Sequence, residues 1–144
     1  MSDEPTANRP PVLAKLREGL QQVPQAVIDE TATSITVRPT SPDGYAVSLD
    51  VGSGECVISL EGLHERFADA DEAIVFFGLA LSVDARLAIT YRGETPVEWT
   101  FEVLEGERWH AVGRTSLKLT PFWRKKHVVH RQNALVGASD SASR

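Results

Sequence analysis

Phe122-Trp123-Arg124-Lys125-Lys126-His127 is the stretch of this 144-residue chain whose residue types most resemble a recognition surface. Lysine and arginine attract phosphate or carboxylate groups, and a solvent-facing tryptophan offers a stacking platform or an interface hot spot. With Arg131 at the end of the same stretch, the predicted binding set is Trp123, Arg124, Lys125, Lys126, His127 and Arg131. The same composition serves two blander purposes. Basic residues on an edge strand keep sheets from joining edge to edge, and a basic strand can neutralise an acidic remainder. That remainder exists: residues 1–113 hold 8 Lys/Arg and 19 Asp/Glu, a net of −11, whereas residues 114–131 hold six basic residues and no acid.

Groups that do acid–base or nucleophilic chemistry are present but scattered. His127 and His130 are three apart, and on a strand that spacing sends the two rings to opposite faces. Zinc needs three or four convergent ligands, so no metal site is predicted. His64-Glu65-Arg66 reads as a solvated link into the following helix. Gly52-Ser53-Gly54 resembles a phosphate loop but is followed neither by a helix nor by Lys-Ser/Thr, and a hairpin turn explains it better. Cys56 falls at a core position and has no neighbouring histidine, and no Gly-x-Ser-x-Gly occurs. The chain is therefore expected to be a non-enzyme with no cofactor.

Composition narrows the class further. Apolar residues make up 42% of the chain, enough for one domain with a real core. A single cysteine forbids an intrachain disulfide and suits a reducing compartment. No basic n-region with an apolar stretch opens the chain. The longest apolar run, 73–81, is about half of the ~20 residues that span a membrane. These features predict a soluble, cytoplasmic protein with no membrane partner. A net charge of −5 disfavours a general nucleic-acid binder.

Periodicity supplies the scaffold. Val12, Leu13, Leu16 and Leu20 recur at helical spacing between Pro10-Pro11 and Pro24, predicting a short helix over 11–22. Ala73-Ile-Val-Phe-Phe-Gly-Leu-Ala-Leu81 predicts a second helix, 70–82, capped by Asp69 or Asp71. Its apolar side chains face all round, so it is expected to be covered on both sides, by a sheet and by either the first helix or another subunit. Strands are predicted at 34–39, 44–51 and 55–61, with Val37 opposite Leu49 across a 42–44 loop and Val51 opposite Cys56 across Ser53-Gly54. A second meander follows. It sets Ile89 against Trp99 across Gly93-Glu94-Thr95, and Phe101 against Trp109 across Leu104-Glu105-Gly106, with Glu102 paired to Arg108 outside. Residues 122–131 make a last strand after Pro121.

The predicted fold is α+β: a curved antiparallel sheet of two β-meanders (β-β-β-α-β-β-β-β) with a buried crossover helix and a short N-terminal helix. Residues 1–10 and 132–144 are expected to be disordered around a single domain, 11–131. The opening order of elements resembles that of small secretion chaperones, which dimerise and bind partner segments. The resemblance is one of element order alone, and such chaperones close with a helix where this chain has a strand and a tail. The expected function is a non-catalytic protein-interaction module, chaperone- or adaptor-like, acting on another protein as a monomer or homodimer. The alternative is a small-ligand cup on the concave sheet face, lined by Tyr45, Tyr91, Trp99 and Trp109.

Overall fold

In the computed structural model, which describes residues 10–117, 120–133 and 135, the chain folds as an α+β unit. Helix α1 (Pro11–Leu20) leads into a five-stranded antiparallel meander: β1 (Val27–Glu30), β2 (Ser34–Arg38), β3 (Val47–Val51), β4 (Cys56–Leu60) and β5 (Leu63–Phe67). Helix α2 (Ala70–Ala80) crosses to a second antiparallel sheet. This holds β6 (Ala85–Arg92), β7 (Thr95–Glu105), β8 (Arg108–Ser116) and β9 (Lys126–Arg131) in the order β8-β7-β6-β9. The two meanders and the crossover helix are those the sequence predicts, resolved into two sheets and extended by β1 and β5.

Helix α2 starts where its carboxylates dictate. Asp69 is extended (φ −101°, ψ 118°), and its side chain accepts from the Asp71 and Glu72 amides at 2.8 and 3.3 Å. Asp71 and Glu72 in the first turn complement the helix dipole. Ala73, Phe77 and Ala80 are fully buried, and α2 packs chiefly on β3 and β4. Phe76 reaches both sheets: its ring lies 5.1 Å from Phe67 on β5 and 4.8 Å from Phe101 on β7. Helix α1 is the second cover, with Leu16 and Leu20 lining one groove together with Ile74 and Phe77. The cover is incomplete, because Val75 is 70% exposed.

Two of the four predicted hairpin registers are observed. Val51 faces Cys56, Leu49 faces Ile58 and Val47 faces Leu60. Ile89 faces Trp99 and Leu87 faces Phe101. The Gly93-Glu94 turn is one residue shorter than predicted, and a bulge beyond Tyr91 restores the register. Two registers differ. Ile35 faces Leu49 and Val37 faces Val47, a slip of two residues that keeps the same inward face. It arises because the turn closed by Gly44 N–H to Ser41 O (3.1 Å) is followed by Tyr45, which drops into the core before β3 begins.

At the other hairpin the turn is Gly106-Glu107, with Gly106 at φ 65°, so Leu104 faces Trp109 and Glu105 faces Arg108. The shift is odd, and Trp109 moves to the opposite face. There Arg86 lies over its ring at 4.2 Å, and Glu102 pairs with Arg86 rather than with Arg108. The hairpin between β4 and β5 turns on Glu61-Gly62, with Glu61 in the left-handed conformation that glycine usually fills (φ 57°). Glycine is needed one place later, because a Cβ at Gly62 would lie 2.5 Å from the Trp99 indole.

The ordered domain does not stop at Arg131. Asn133, 3% exposed, donates through Nδ2 to the carbonyls of Tyr45 (3.0 Å) and Ala80 (3.1 Å) and accepts from the Tyr45 amide at 3.0 Å. The Tyr45 hydroxyl donates to Ala80 O at 2.7 Å. Leu135 is buried, and its amide donates to Leu81 O. Gln132 and Asn133, placed in the tail by the sequence reading, are thus part of the fold, while most of 1–10 and 136–144 lies outside the described residues.

Two measurements test this packing. Phe77→Ala should lower stability by about 3–5 kcal/mol in denaturant unfolding, whereas Val75→Ala should change it by less than about 0.5 kcal/mol. Asn133→Ala should cost about 1–3 kcal/mol, because it strands buried backbone groups of Tyr45. Burial also pushes the Tyr45 phenol above its ordinary range. The folded state therefore holds this proton more tightly than the unfolded state. That contribution is intact below about pH 10, the unfolded phenol's pKa, and declines as pH rises beyond it. Tyr45→Phe should be less stable at neutral pH and lose less stability between neutral pH and alkali, as read by unfolding at a series of pH values.

Candidate interaction face

The predicted recognition stretch lies at one end of the four-stranded sheet. Short-range bonds shape it: Phe122 N–H donates to Thr120 O (2.8 Å) and Arg124 N–H to Pro121 O (2.9 Å). The β6–β7 turn then holds it in place. The Gly93 amide donates to Lys125 O at 2.8 Å, and Arg92 donates to Arg124 O at 3.3 Å. The Arg124 stem lies so close over Gly93 that a Cβ there would meet its Cδ at 2.8 Å.

On this base Phe122 and Trp123 stand 73% and 71% exposed, in edge-to-face contact with ring centres 5.3 Å apart. Arg124, Lys125 and Lys126 are exposed beside them, and none makes an ion pair with another described residue. His127 stacks on Tyr91 at 5.1 Å with the planes 7° apart, matching their cross-strand pairing. Arg131 serves a different purpose. It turns to the β2–β3 loop and donates to Pro42 O at 2.8 Å, which closes the far end of β9. Of the six predicted residues, five lie together in the exposed 123–127 stretch, where Lys126 and His127 point to opposite faces of β9, and Arg131 anchors the strand's far end.

The sequence reading left out two apolar members: Val128 on β9 is 46% exposed, and Phe122 is as open as its neighbour. Five of the seven large apolar side chains exposed among the described residues fall within 112–128, the acid-free part of the chain. Val112 and Leu117 of this group lie on or just after β8, at the other edge of the sheet, so the apolar side chains beside Arg124, Lys125 and Lys126 are Phe122, Trp123 and Val128.

The alternative cup does not assemble. Tyr45 is 1% exposed and spends its hydroxyl on Ala80 O. Tyr91 stacks on His127, Trp99 packs over Gly62, and Trp109 stands on the reverse face beneath Arg86. Two concavities lie elsewhere. A cleft of about 380 Å³ is lined by Pro10, Val12, Val51, Gly52, Cys56 and Ala70, and a groove of about 170 Å³ runs between α1 and α2. Cys56 is 6% exposed, and burial raises its thiol pKa, which favours the unreactive thiol over the thiolate.

Titratable groups keep separate local partners. His64 Nδ1 lies 2.9 Å from Ser59 Oγ, His110 lies 3.6 Å from Glu105, and Arg114 pairs with Glu98 at 2.9 Å. His64 and its neighbours belong to β5 rather than to a loop. Cross-strand pairing sets His127 with Tyr91 and His130 with Ala88, on opposite faces as predicted. No three His, Cys, Asp or Glu side chains among the described residues come together as a metal would require.

Fluorescence quenching tests the exposure of the face. Of the three tryptophans, Trp123 is the open one, so Trp123→Phe should remove most of the emission that iodide quenches while leaving the melting temperature unchanged.

Compared with protein-family models, with curated proteins and with solved structures, the chain finds no match in any of the three.

Proposed function

We propose that this domain is a non-catalytic interaction module that binds another protein through the face formed by Phe122, Trp123, Arg124, Lys125, Lys126 and His127. The observation that carries the reading is the exposure of Phe122 and Trp123 above 70% beside basic side chains that no described acid neutralises. Aromatic residues next to arginine and lysine form the energetic centre of many protein interfaces. Edge protection accounts for Lys125 and Lys126 alone; it gives no reason to expose two large rings.

The partner is taken to be a different chain of acidic character, since two copies of the 124–131 strand would repel. The setting is taken to be the cytoplasm, in keeping with a single buried thiol and with no helix of the described chain being long and apolar enough to cross a membrane. Replacing Lys125 and Lys126 by serine should reduce partner capture and its sensitivity to salt, and Trp123→Ala should weaken capture at every salt concentration. Both variants should melt with the parent. Equal capture by parent and both variants would remove this face from the protein's function.

A further inference from the structure

The outer edge of β9 carries more information than the charges near it. Strand β9 pairs with β6 through six residues, Lys126 to Arg131, and no other described strand lies on its far side. In an antiparallel pair alternate residues spend their N–H and C=O groups on the neighbour, and the residues between turn theirs outward. The open edge runs for about 20 Å at ~3.3 Å per residue. Both of its ends are defined. The Phe122–Trp123 turn stands at one end, and the β2–β3 loop, bonded to Arg131 and Gln132, closes the other.

Resting on the reading of this face as the binding face, we propose that the partner contributes an extended acidic segment that pairs with β9 as a fifth strand of this sheet. Charge selects the occupant. The open edge carries Lys126, His127, His130 and Arg131 behind Arg124 and Lys125, and the chain has no acid between Glu107 and Asp140. A strand bearing glutamate or aspartate meets opposite charge at Lys126 and Arg131 and, beyond the strand's start, at Arg124 and Lys125, whereas a second β9 repeats these charges. Val128, 46% exposed on the same strand, gives the added strand an apolar contact, and Trp123 covers its end. Main-chain bonds then supply binding that tolerates sequence variation, and the side chains supply selectivity for acid.

The test uses the intact chain and short acetylated peptides of alternating glutamate and valine, long enough to span β9, with binding read by fluorescence anisotropy. The parent peptide should bind, and a lysine–valine peptide should not. N-methylation of the alternate amides that face β9 should weaken binding by about tenfold, while methylation of the intervening amides should leave it unchanged. Amide exchange within β9 should slow when the parent peptide is bound. If both methylated series bind alike, and binding still needs Lys125 and Lys126, strand pairing is overturned and the basic face stands. If the acidic peptide fails to bind, or binds the Lys125→Ser/Lys126→Ser variant equally well, the face itself is overturned. Association with phosphatidylserine vesicles in place of the peptide would also overturn the proposal, by assigning the exposed rings and cations to a lipid surface.

Discussion

The carbonyl oxygen of Ala80 is the point on which the arrangement of the two sheets depends. A helix leaves its last carbonyls without intrahelical donors, and α2 ends inside the apolar core, where water is not at hand. Two donors reach Ala80 from remote parts of the chain: the Tyr45 hydroxyl from the β2–β3 loop and the Asn133 amide from beyond β9. Asn133 also closes both backbone groups of Tyr45. The three residues are at most 3% exposed, so each bond forms in a low-dielectric setting and each missing partner would leave a stranded dipole. The segment just after β9 is thereby fixed to the β2–β3 loop and to the end of α2. Gln132, bonded to Asp43 O and Val83 O, and Leu135, bonded to Leu81 O and to Gln25, reinforce the same junction.

That junction was invisible in the sequence for a physical reason. An asparagine in a Ser- and Ala-rich tail carries no periodicity, and its value lies in groups 53 and 88 residues away. Elements with a strong local pattern were read correctly: Asp69 before nine apolar residues gave α2, and alternating apolars around Gly93 and Ser53-Gly54 gave four of the strands. Strands β1 and β5 were missed because Asp29-Glu30 and His64-Glu65-Arg66 break the apolar alternation. Those charges sit on the open face or the rim, where they pair with Arg38, Arg17 and Glu55. Register failed only where turn length was misjudged. At Gly106 one glycine admits either a two- or a three-residue turn, and the choice decides which face receives Trp109.

The candidate face shows the same division. Its position and charge were evident from the run Phe122 to His127, because an acid-free stretch in an acidic chain needs no structure to be noticed. Its composition was not. Whether Trp123 stands in the core or in solvent depends on how the 120–125 segment lies over Gly93, and Arg131 looks like one more cation of the face until Pro42 O is found beside its guanidinium.

The balance between protection and recognition turns on what each would cost the fold. Lys125 and Lys126 at the start of β9 suffice to discourage edge-to-edge association, and they do so without aromatic help. Burying a phenylalanine or tryptophan side chain typically contributes about 1.5–3 kcal/mol, a sizeable share of a small domain's net stability. This fold forgoes that contribution twice, at Phe122 and at Trp123, the central residues of the turn closed by Arg124 N–H to Pro121 O. It also ties down the backbone beside them: the Gly93 amide donates to Lys125 O and the Arg92 guanidinium to Arg124 O, so a ligand at this turn has less loop entropy left to remove. Exposed aromatic rings beside cations that no described acid neutralises, at the mouth of an open strand edge, suit a binding surface. A purely protective edge requires only the charges.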